Sequence, residues 1–496
     1  MTLSSSAPHT SADVCAHHTA FLAALQQVLG PRGLSSDQDA MAPWLTDWRG
    51  RYTGRALALA SPADAQELSA IVKLAAQAGI PIVPQGGNSG MVGGATPDDS
   101  GHSLLVSLRR MNSIGPIDTD AMQVTCGAGV ILQTLHEAAE AVGLRFPLTL
   151  GGKGSATVGG LISTNAGGTQ VLRHGNMRAQ VLGLEAVLAD GSIWSALTPL
   201  KKDNRGFDLK QLFIGSEGTL GMVTAATLAL VPGVAERRVL WAGVESIHAA
   251  RALLLHCQRR LGSALEGFEV IPQASLEAVL AFTRKSRRPL EGDHAWNALI
   301  EVVADADSAA TLGDRVETAL AEAFEAGLLQ DAAIAASEAQ AEAFWLNREE
   351  VPMAERAKGP AVQHDISVAV ERMPDFIEQV SPRILARFPG VHVVGFGHLG
   401  DGNIHYHVIA PEGSPKGWEL HEGKAISAFV YDEVTAWGGS ISAEHGIGQN
   451  KIAELAHTAD PVALALLRAV KQALDPLGLL NPGKLVPPLA SGPAKP

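Results

Sequence analysis

A chain of 496 residues, 46% hydrophobic and 18% charged, can bury a large core in two or three domains and excludes a disordered protein. Its formal charge of −13 argues against nucleic acid and against an anionic membrane surface as partners. No apolar stretch approaches the length that spans a bilayer, so no integral membrane segment is expected.

In chain order, a polar leader to about Ser35 contains a short helix pattern, Ala20 to Leu29. Ser61-Pro62-Ala63-Asp64 reads as a helix start, with Ser61 as N-cap and proline first in the helix. Leu68, Ile71, Val72 and Ala75 mark the buried face of that helix, and Gly79 stops it. A strand end, Ile80 to Val83, then leads into Pro84-Gln85-Gly86-Gly87-Asn88-Ser89-Gly90-Met91-Val92-Gly93-Gly94. Glycines at this density leave backbone N–H groups bare, so the loop can fold around an anion. Strands at Leu104–Leu108 and Gln123–Cys126 and a helix at Leu132–Val142 follow. A second glycine segment, Leu150 to Gly160, runs into Ser163-Thr164-Asn165-Ala166-Gly167-Gly168. Either segment alone is as readily an ordinary turn; the pair suggests a cofactor whose pyrophosphate is held by backbone. Val181–Leu188 and Ser192–Ser195 form a hairpin about Asp190-Gly191, and Met222–Val231 is the last strand before a boundary at Pro232-Gly233.

Beyond that boundary, helices at Ile247–Leu261, Ala309–Ala326 and Ala339–Arg356 alternate with strands at Ala298–Val303 and His392–Phe396, which makes a second α+β domain. A helix at Pro461–Leu474 and the run Asp475 to Lys484 close the chain. The expected units are a leader and helix (1–43), a first domain (44–232), a second domain (233–440), a C-terminal segment (441–486) and a frayed tail (487–496).

Two motifs mislead. Gly395-Phe396-Gly397-His398-Leu399-Gly400 spells GxGxxG, but a turn and a strand follow it where a nucleotide-binding fingerprint needs a helix. Gly478 to Lys484 approaches a P-loop, but Leu485 stands where the magnesium-binding Ser/Thr belongs.

The chemistry gathers elsewhere. His398, His405 and His407 lie across one expected hairpin, Val391–His398 and Ile404–Val408, whose tip is Gly400-Asp401-Gly402-Asn403. His398 and His405 sit opposite one another near the tip, and His405 and His407 share a face by the period-two alternation of a strand. A carboxylate is available from Ser442-Ala443-Glu444-His445-Gly446-Ile447-Gly448. Two imidazoles, one carboxylate and open positions suit a catalytic divalent metal, zinc first, with manganese or iron(II) behind it.

The two glycine segments, with Gly215-Ser216-Glu217-Gly218-Thr219-Leu220-Gly221 after them, resemble the FAD-binding domain of the vanillyl-alcohol-oxidase-type flavoproteins. From about Trp44 to Lys484 the chain resembles the FAD-linked D-2-hydroxy acid dehydrogenases of that superfamily, the D-2-hydroxyglutarate dehydrogenases in particular. The resemblance implies an α+β protein: a two-subdomain PCMH-type FAD-binding domain, an α+β substrate domain with an antiparallel sheet, and a C-terminal helical segment closing on the flavin. It implies FAD contacts at Pro84, Gln85, Gly86, Gly87, Asn88, Ser89, Gly90 and Met91 in the first loop, and at Gly154, Ser155, Gly159, Gly160, Thr164, Asn165, Gly167 and Gly168 in the second. Further contacts are implied at Glu217, Gly218, Gly221, Val223 and Asn481. The flavin is expected to be non-covalent, since Gln85 to Gly94 holds no His or Cys.

In the family, Gly-His-x-Gly-Asp-Gly-Asn-x-His supplies two metal ligands and Ala-Glu-His-Gly the third. They map onto His398, His405 and Glu444, with His445 as the catalytic base that takes the substrate hydroxyl proton while the C2 hydrogen leaves as hydride to flavin. Arg348, in Phe344-Trp345-Leu346-Asn347-Arg348-Glu349, matches the arginine that grips the substrate carboxylate. Three positions depart from the D-2-hydroxyglutarate pattern: Pro352 replaces Thr, Gln363 replaces Lys and His407 replaces Asn. Gln363, His407, Arg348 and His445 are therefore the expected substrate contacts, and the distal end has lost a cation unless His407 is charged.

The expected activity is FAD-dependent, metal-assisted oxidation of a D-2-hydroxy acid, D-2-hydroxyglutarate first, with D-lactate or another D-2-hydroxy acid as the alternative. Non-redox flavin chemistry of the kind run by ether-lipid synthases, or a non-catalytic electron-relay subunit, are competing readings. The electron acceptor is left open among an electron-transfer flavoprotein, a cytochrome and a quinone, and a homodimer is left open too. Three scattered cysteines, Cys15, Cys126 and Cys257, without a CxxC, and an N-terminus without a presequence pattern make cytoplasmic the expected location.

Overall fold

The structure, a computed structural model, describes residues 11–200 and 202–488; the leader's first ten residues and the end of the expected frayed tail lie outside it. Among the described residues no helix is long and apolar enough to cross a membrane.

The first half is built on two four-stranded sheets. In one, Ala58–Ala60, Leu104–Ser107 and Ile82–Gln85 run parallel, with Leu34–Ser35 antiparallel on the outer edge. These short strands are almost wholly buried, which is why they read as apolar runs without alternation. The helix Ala65–Ala78 packs beside them through Leu68, Ile71, Val72 and Ala75 and ends at Gly79 in the left-handed conformation. Its N-cap is Asp64, three residues later than the sequence indicates. The Asp64 carboxylate accepts from Glu67 N at 2.8 Å while Glu67 Oε2 accepts from Ala63 N at 2.7 Å, a reciprocal pair that outcompetes the Ser61 start. The second sheet is antiparallel, in the order Gln123–Gly127, Met222–Ala229, Val181–Val187, Ile193–Ala196. The hairpin at Asp190-Gly191 forms as expected.

The second half carries a seven-stranded antiparallel sheet, ordered Asp331–Ile334, Glu236–Val244, Trp296–Ala304, Leu265–Pro272, His392–His398, Asn403–Ile409, Ala361–Ser367. One face packs on the helices Ile247–Leu261, Ala309–Glu325, Met373–Arg387 and Glu422–Ala436; the other takes Gln273–Phe282, Glu338–Glu349 and Val351–Ala357. The helix read as Ala339–Arg356 is two helices joined at Glu350, because Pro352 cannot continue the hydrogen-bond ladder and serves as a first-turn residue instead. Arg145, Arg173 and His174 of the first half surround the buried Glu266 carboxylate of the second, with Arg173 Nη1 at 2.9 Å, and so staple the halves together. The C-terminal segment returns to the first sheet: Ile82 N donates to Leu479 O at 2.8 Å and Asn481 N to Ile82 O at 2.7 Å.

Candidate functional site

A cavity of about 620 Å³ lies between the two glycine segments and reaches Glu444 and His445. Both segments need glycine partly because they press on each other. A Cβ on Gly86 would fall 2.3 Å from Thr157 Oγ1, and one on Gly87 1.9 Å from Ser155 O. Asn88 is left-handed (φ 53°) and its Nδ2 donates to Thr46 O at 2.9 Å, while Arg109 holds the Gly87 carbonyl at 3.0 Å. Among the described residues the N–H groups of Gly87 through Met91 have no protein acceptor, which is the donor set that a bound pyrophosphate requires.

Every expected contact from Pro84 to Met91 lines this cavity, as do Gly154, Ser155, Gly159, Gly160, Thr164, Gly167, Glu217, Gly218 and Val223. Asn165, Gly168, Gly221 and Asn481 do not; they stand behind the wall. Asn165 caps a helix in the left-handed conformation and accepts from Arg178 N, Gly168 lies against Thr149 O, and Gly221 lies against Phe213. Asn481 Nδ2 braces the Gly94 and Glu217 carbonyls at 3.0 and 2.7 Å. The sequence reading missed Trp48, Leu150 and Met222, apolar lining residues that only their position reveals.

Glu217 does more than line the cavity. Its carboxylate accepts from Ile447 N and Gly448 N, both at 2.8 Å, and so ties the Glu444–Gly448 loop to the first domain. Gly446 and Gly448 are left-handed; a Cβ on Gly446 would lie 2.7 Å from Glu217 Oε1, and one on Gly448 2.3 Å from Val92 O. Burial raises the Glu217 carboxyl pKa, against the lowering effect of those two N–H groups.

Next to the cavity, the inner face of the large sheet assembles the polar centre. Register pairs Glu269 with His398, His398 with Asn403, Phe396 with His405, Asp365 with His405 and Gln363 with His407, so all these side chains share one face. The rings of His398 and His405 are 5.3 Å apart, and His405 and His407 both pack on Phe396. Glu269, which the sequence reading missed, is the organiser. Its Oε1 lies 2.6 Å from His398 Nδ1 and its Oε2 accepts from Arg348 Nε at 2.6 Å. Burial works against charge on His398, but Glu269 and Glu444 outweigh it and raise the pKa to about 9. Burial, Arg348 and His398 keep His405 neutral, its pKa well below the usual value. Burial raises Glu444 to about 7; His398 opposes this, and Asp365 and Asp401 add to it.

Asp365 is the second missed residue. Its Oδ2 accepts from the backbone N of Glu444 and of His445, each at 2.9 Å, and its Oδ1 from Asn403 Nδ2 at 2.8 Å. Burial opposes its ionisation, yet His445, Lys451 and His405 hold it well below the usual carboxylate range. His445 Nδ1 lies 3.4 Å from Asp365 Oδ2. Burial lowers the His445 pKa and Asp365 partly restores it, so the imidazole is neutral and able to take a proton.

Among the described residues, the group whose potential ligand atoms all fall within 4.8 Å of one another is Asp365, Glu444 and His445; the expected trio of His398, His405 and Glu444 is more widely spread. Asp365, however, already accepts three hydrogen bonds, whereas His398 keeps Nε2 free and His405 has no hydrogen-bond partner among the described residues. Arg348 is buried, with its guanidinium 5.1 Å from the Phe396 ring centre. At the far end, burial first, then His364 and the arginines 49, 348 and 356, lower His407 to about 3. Of the two states the sequence leaves open for His407, charged or neutral, these surroundings favour the neutral one.

Residues 56–196 match the family described as FAD binding domain, and residues 234–485 the family described as FAD linked oxidases, C-terminal domain. The mitochondrial D-2-hydroxyglutarate dehydrogenase of Arabidopsis thaliana is 35% identical over 464 residues, 93% of this chain and 80% of that protein. The D-2-hydroxyglutarate dehydrogenase of Xanthomonas citri is 34% identical over 468 residues, 93% of this chain and 96% of its own length. A crystal structure of p-cresol methylhydroxylase superposes with a TM-score of 0.73 at 14% identity, covering 95% of this chain and 97% of that one, and so shares the fold. The plant relative and several animal relatives are named mitochondrial, which overturns the cytoplasmic expectation. Scattered cysteines and a missing presequence pattern do not identify a compartment.

Proposed function

The chain belongs to the FAD-linked oxidase family and is an FAD-dependent oxidoreductase, and from that premise we propose that it oxidises a D-2-hydroxy acid, D-2-hydroxyglutarate first, to the 2-oxo acid. The observation that carries the reading is convergence: the cavity between the glycine segments ends on Glu444 and His445, beside the sheet face that bears His398 and His405 and the helix against it that bears Arg348.

Arg348 spends its Nε on Glu269, and its two Nη groups make no hydrogen bond among the described residues, so they are free to fork onto the substrate carboxylate. His445, neutral through burial, takes the hydroxyl proton, and the Asp365 carboxylate 3.4 Å away stabilises the imidazolium that forms. The backbone bonds from Glu444 and His445 to Asp365, and from Ile447 and Gly448 to Glu217, fix the loop from both sides.

A divalent metal, zinc first, fits His398, His405 and Glu444: Glu269 orients His398 through Nδ1, the outer-shell carboxylate that metal-bound imidazoles use. When bound, it supplies a Lewis acid for the substrate oxygens. FAD, held non-covalently, supplies the acceptor for the C2 hydrogen and its two electrons. An electron-transfer flavoprotein, a cytochrome or a quinone would serve as the onward electron acceptor. Anaerobic addition of a panel of D-2-hydroxy acids tests the reading. D-2-hydroxyglutarate should bleach the flavin; bleaching by none of them would overturn the proposal.

A further inference from the structure

The catalytic face of the large sheet ends at the paired residues Gln363 and His407, neither of them a lysine or an arginine. His407 Nδ1 is buried with no partner, and the Gln363 side chain makes no hydrogen bond among the described residues. A second carboxylate on the substrate would meet no lysine or arginine at that end of the sheet.

The first domain supplies what the sheet lacks. Between the paired residues Thr46 and Thr53 the chain forms a tight loop around the buried Asp47 carboxylate, which accepts from the backbone N of Arg49, Arg51 and Tyr52 at 3.2, 2.7 and 2.6 Å. The loop is held to the first glycine segment by Asn88 Nδ2 on Thr46 O at 2.9 Å. It is held to the segment after His445 by Asn450 Nδ2 on Tyr52 Oη at 2.8 Å. Trp48 lines the cavity.

Arg49, the next residue, is half-buried; its Nε is buried without a hydrogen-bond acceptor, and among the described residues its guanidinium has no ion-pair partner within 4 Å. Asp365, His407 and His445 all feel its charge. Burial, with Arg51 and Arg356 behind it, makes that charge costly and lowers the Arg49 pKa to about 10, against the pull of Asp47 and Asp365. A hydrogen-bonded loop that keeps a cation desolvated and unpaired, next to a residue that lines the cavity, is arranged for an anion that arrives with the ligand.

Resting on the proposed function, we infer that Arg49 is the cation of a distal-carboxylate subsite, so that the preferred substrate is a dicarboxylic D-2-hydroxy acid. The first domain thereby takes over the charge given up at position 363. The substrate would be gripped at one end by Arg348 and at the other by Arg49, with C2 between.

The test uses the FAD-loaded protein and two substrates of equal chain length, D-2-hydroxyglutarate and D-2-hydroxyvalerate, which lacks the distal carboxylate. Arg49→Ala should lower kcat/KM for D-2-hydroxyglutarate by about 10- to 100-fold, mostly through KM, and for D-2-hydroxyvalerate by less than about threefold. Arg49→Lys, which keeps the charge and loses the fork, should fall between. Glutarate binding, read from the flavin absorption spectrum, should weaken by a similar factor in Arg49→Ala while butyrate binding holds. Equal losses on both substrates, or a wild-type protein that oxidises and binds the two classes alike, would overturn the subsite. In both cases 2-hydroxy acids still bleach the flavin, so the proposed function would stand.

Discussion

Asp365→Asn is the most incisive perturbation of the centre, because it alters one charge and almost no volume. The carboxylate receives three donors, Asn403 Nδ2 at 2.8 Å and the backbone N of Glu444 and His445 at 2.9 Å each. An amide has one acceptor oxygen, so its NH₂ must face either Asn403 or the two loop N–H groups. Hydrogen bonds to a buried charged group contribute about 1.5–3 kcal/mol each. With about 1.4 kcal/mol per decade of rate, losing one where the base is positioned should cost about one to two orders of magnitude in kcat/KM. The pH profile separates this from general damage. Asp365 raises the His445 pKa, so its removal should move the acidic limb of kcat/KM to lower pH, since the neutral imidazole then persists to lower pH. The assay is kcat/KM for D-2-hydroxyglutarate from pH 5 to 9 with flavin content measured in parallel. A variant with full flavin and kcat/KM within threefold of wild type, or an acidic limb that moves upward, would refute the role of Asp365.

His398→Ala and His405→Ala should each abolish turnover while leaving flavin content intact, because the cavity that would hold FAD is lined by other residues; loss of flavin in soluble variants would count against the separation of the two sites. With the proposed metal at these ligands, chelation should stop turnover and zinc should restore it. Glu444, raised to about 7, and His398, raised to about 9, must both shed protons to bind the ion, so zinc affinity should climb with pH through neutrality. A chelator-competition titration that is flat between pH 6 and 8 would contradict that donor set. Gln363→Lys, facing the same side as His407, should raise kcat/KM for D-2-hydroxyglutarate relative to D-lactate; an unchanged ratio would place position 363 away from the distal end.

The fold was legible where local chemistry and tertiary context agree. The helices Ile247–Leu261 and Pro461–Leu474 end at the residues the sequence indicates; each starts at a residue whose side chain caps it, Ser246 and Asp460, and the first carries a one-sided apolar stripe. The Asp64 cap shows the opposite case: Ser61-Pro62 is an acceptable start, and only the Asp64–Glu67 pairing decides against it. The strands Glu236–Val244, Leu265–Pro272 and Ala361–Ser367 were not singled out. Being buried in the middle of the sheet or interrupted by Gln363, His364 and Asp365, they lack the polar and apolar alternation that marks a half-exposed strand.

The site divides along the same line. Glycines and histidines announce themselves, because dense glycine or imidazoles around one tight turn are rare enough to be noticed. Glu269 and Asp365 are single acids inside apolar strands, and nothing in their neighbours distinguishes a structural ion pair from a catalytic support. Their meaning comes from register: Glu269 stands opposite His398, and Asp365 opposite His405. Each carboxylate then meets two elements at once, Glu269 the histidine and Arg348, Asp365 the hairpin and the Glu444–His445 loop. Two buried anions that each bind donors from separate parts of the chain would make the proposed metal-ligand face, carboxylate grip and base interdependent. A substitution at either should therefore shift more than one kinetic parameter, whereas Arg348, His405 and His445 report on one function each.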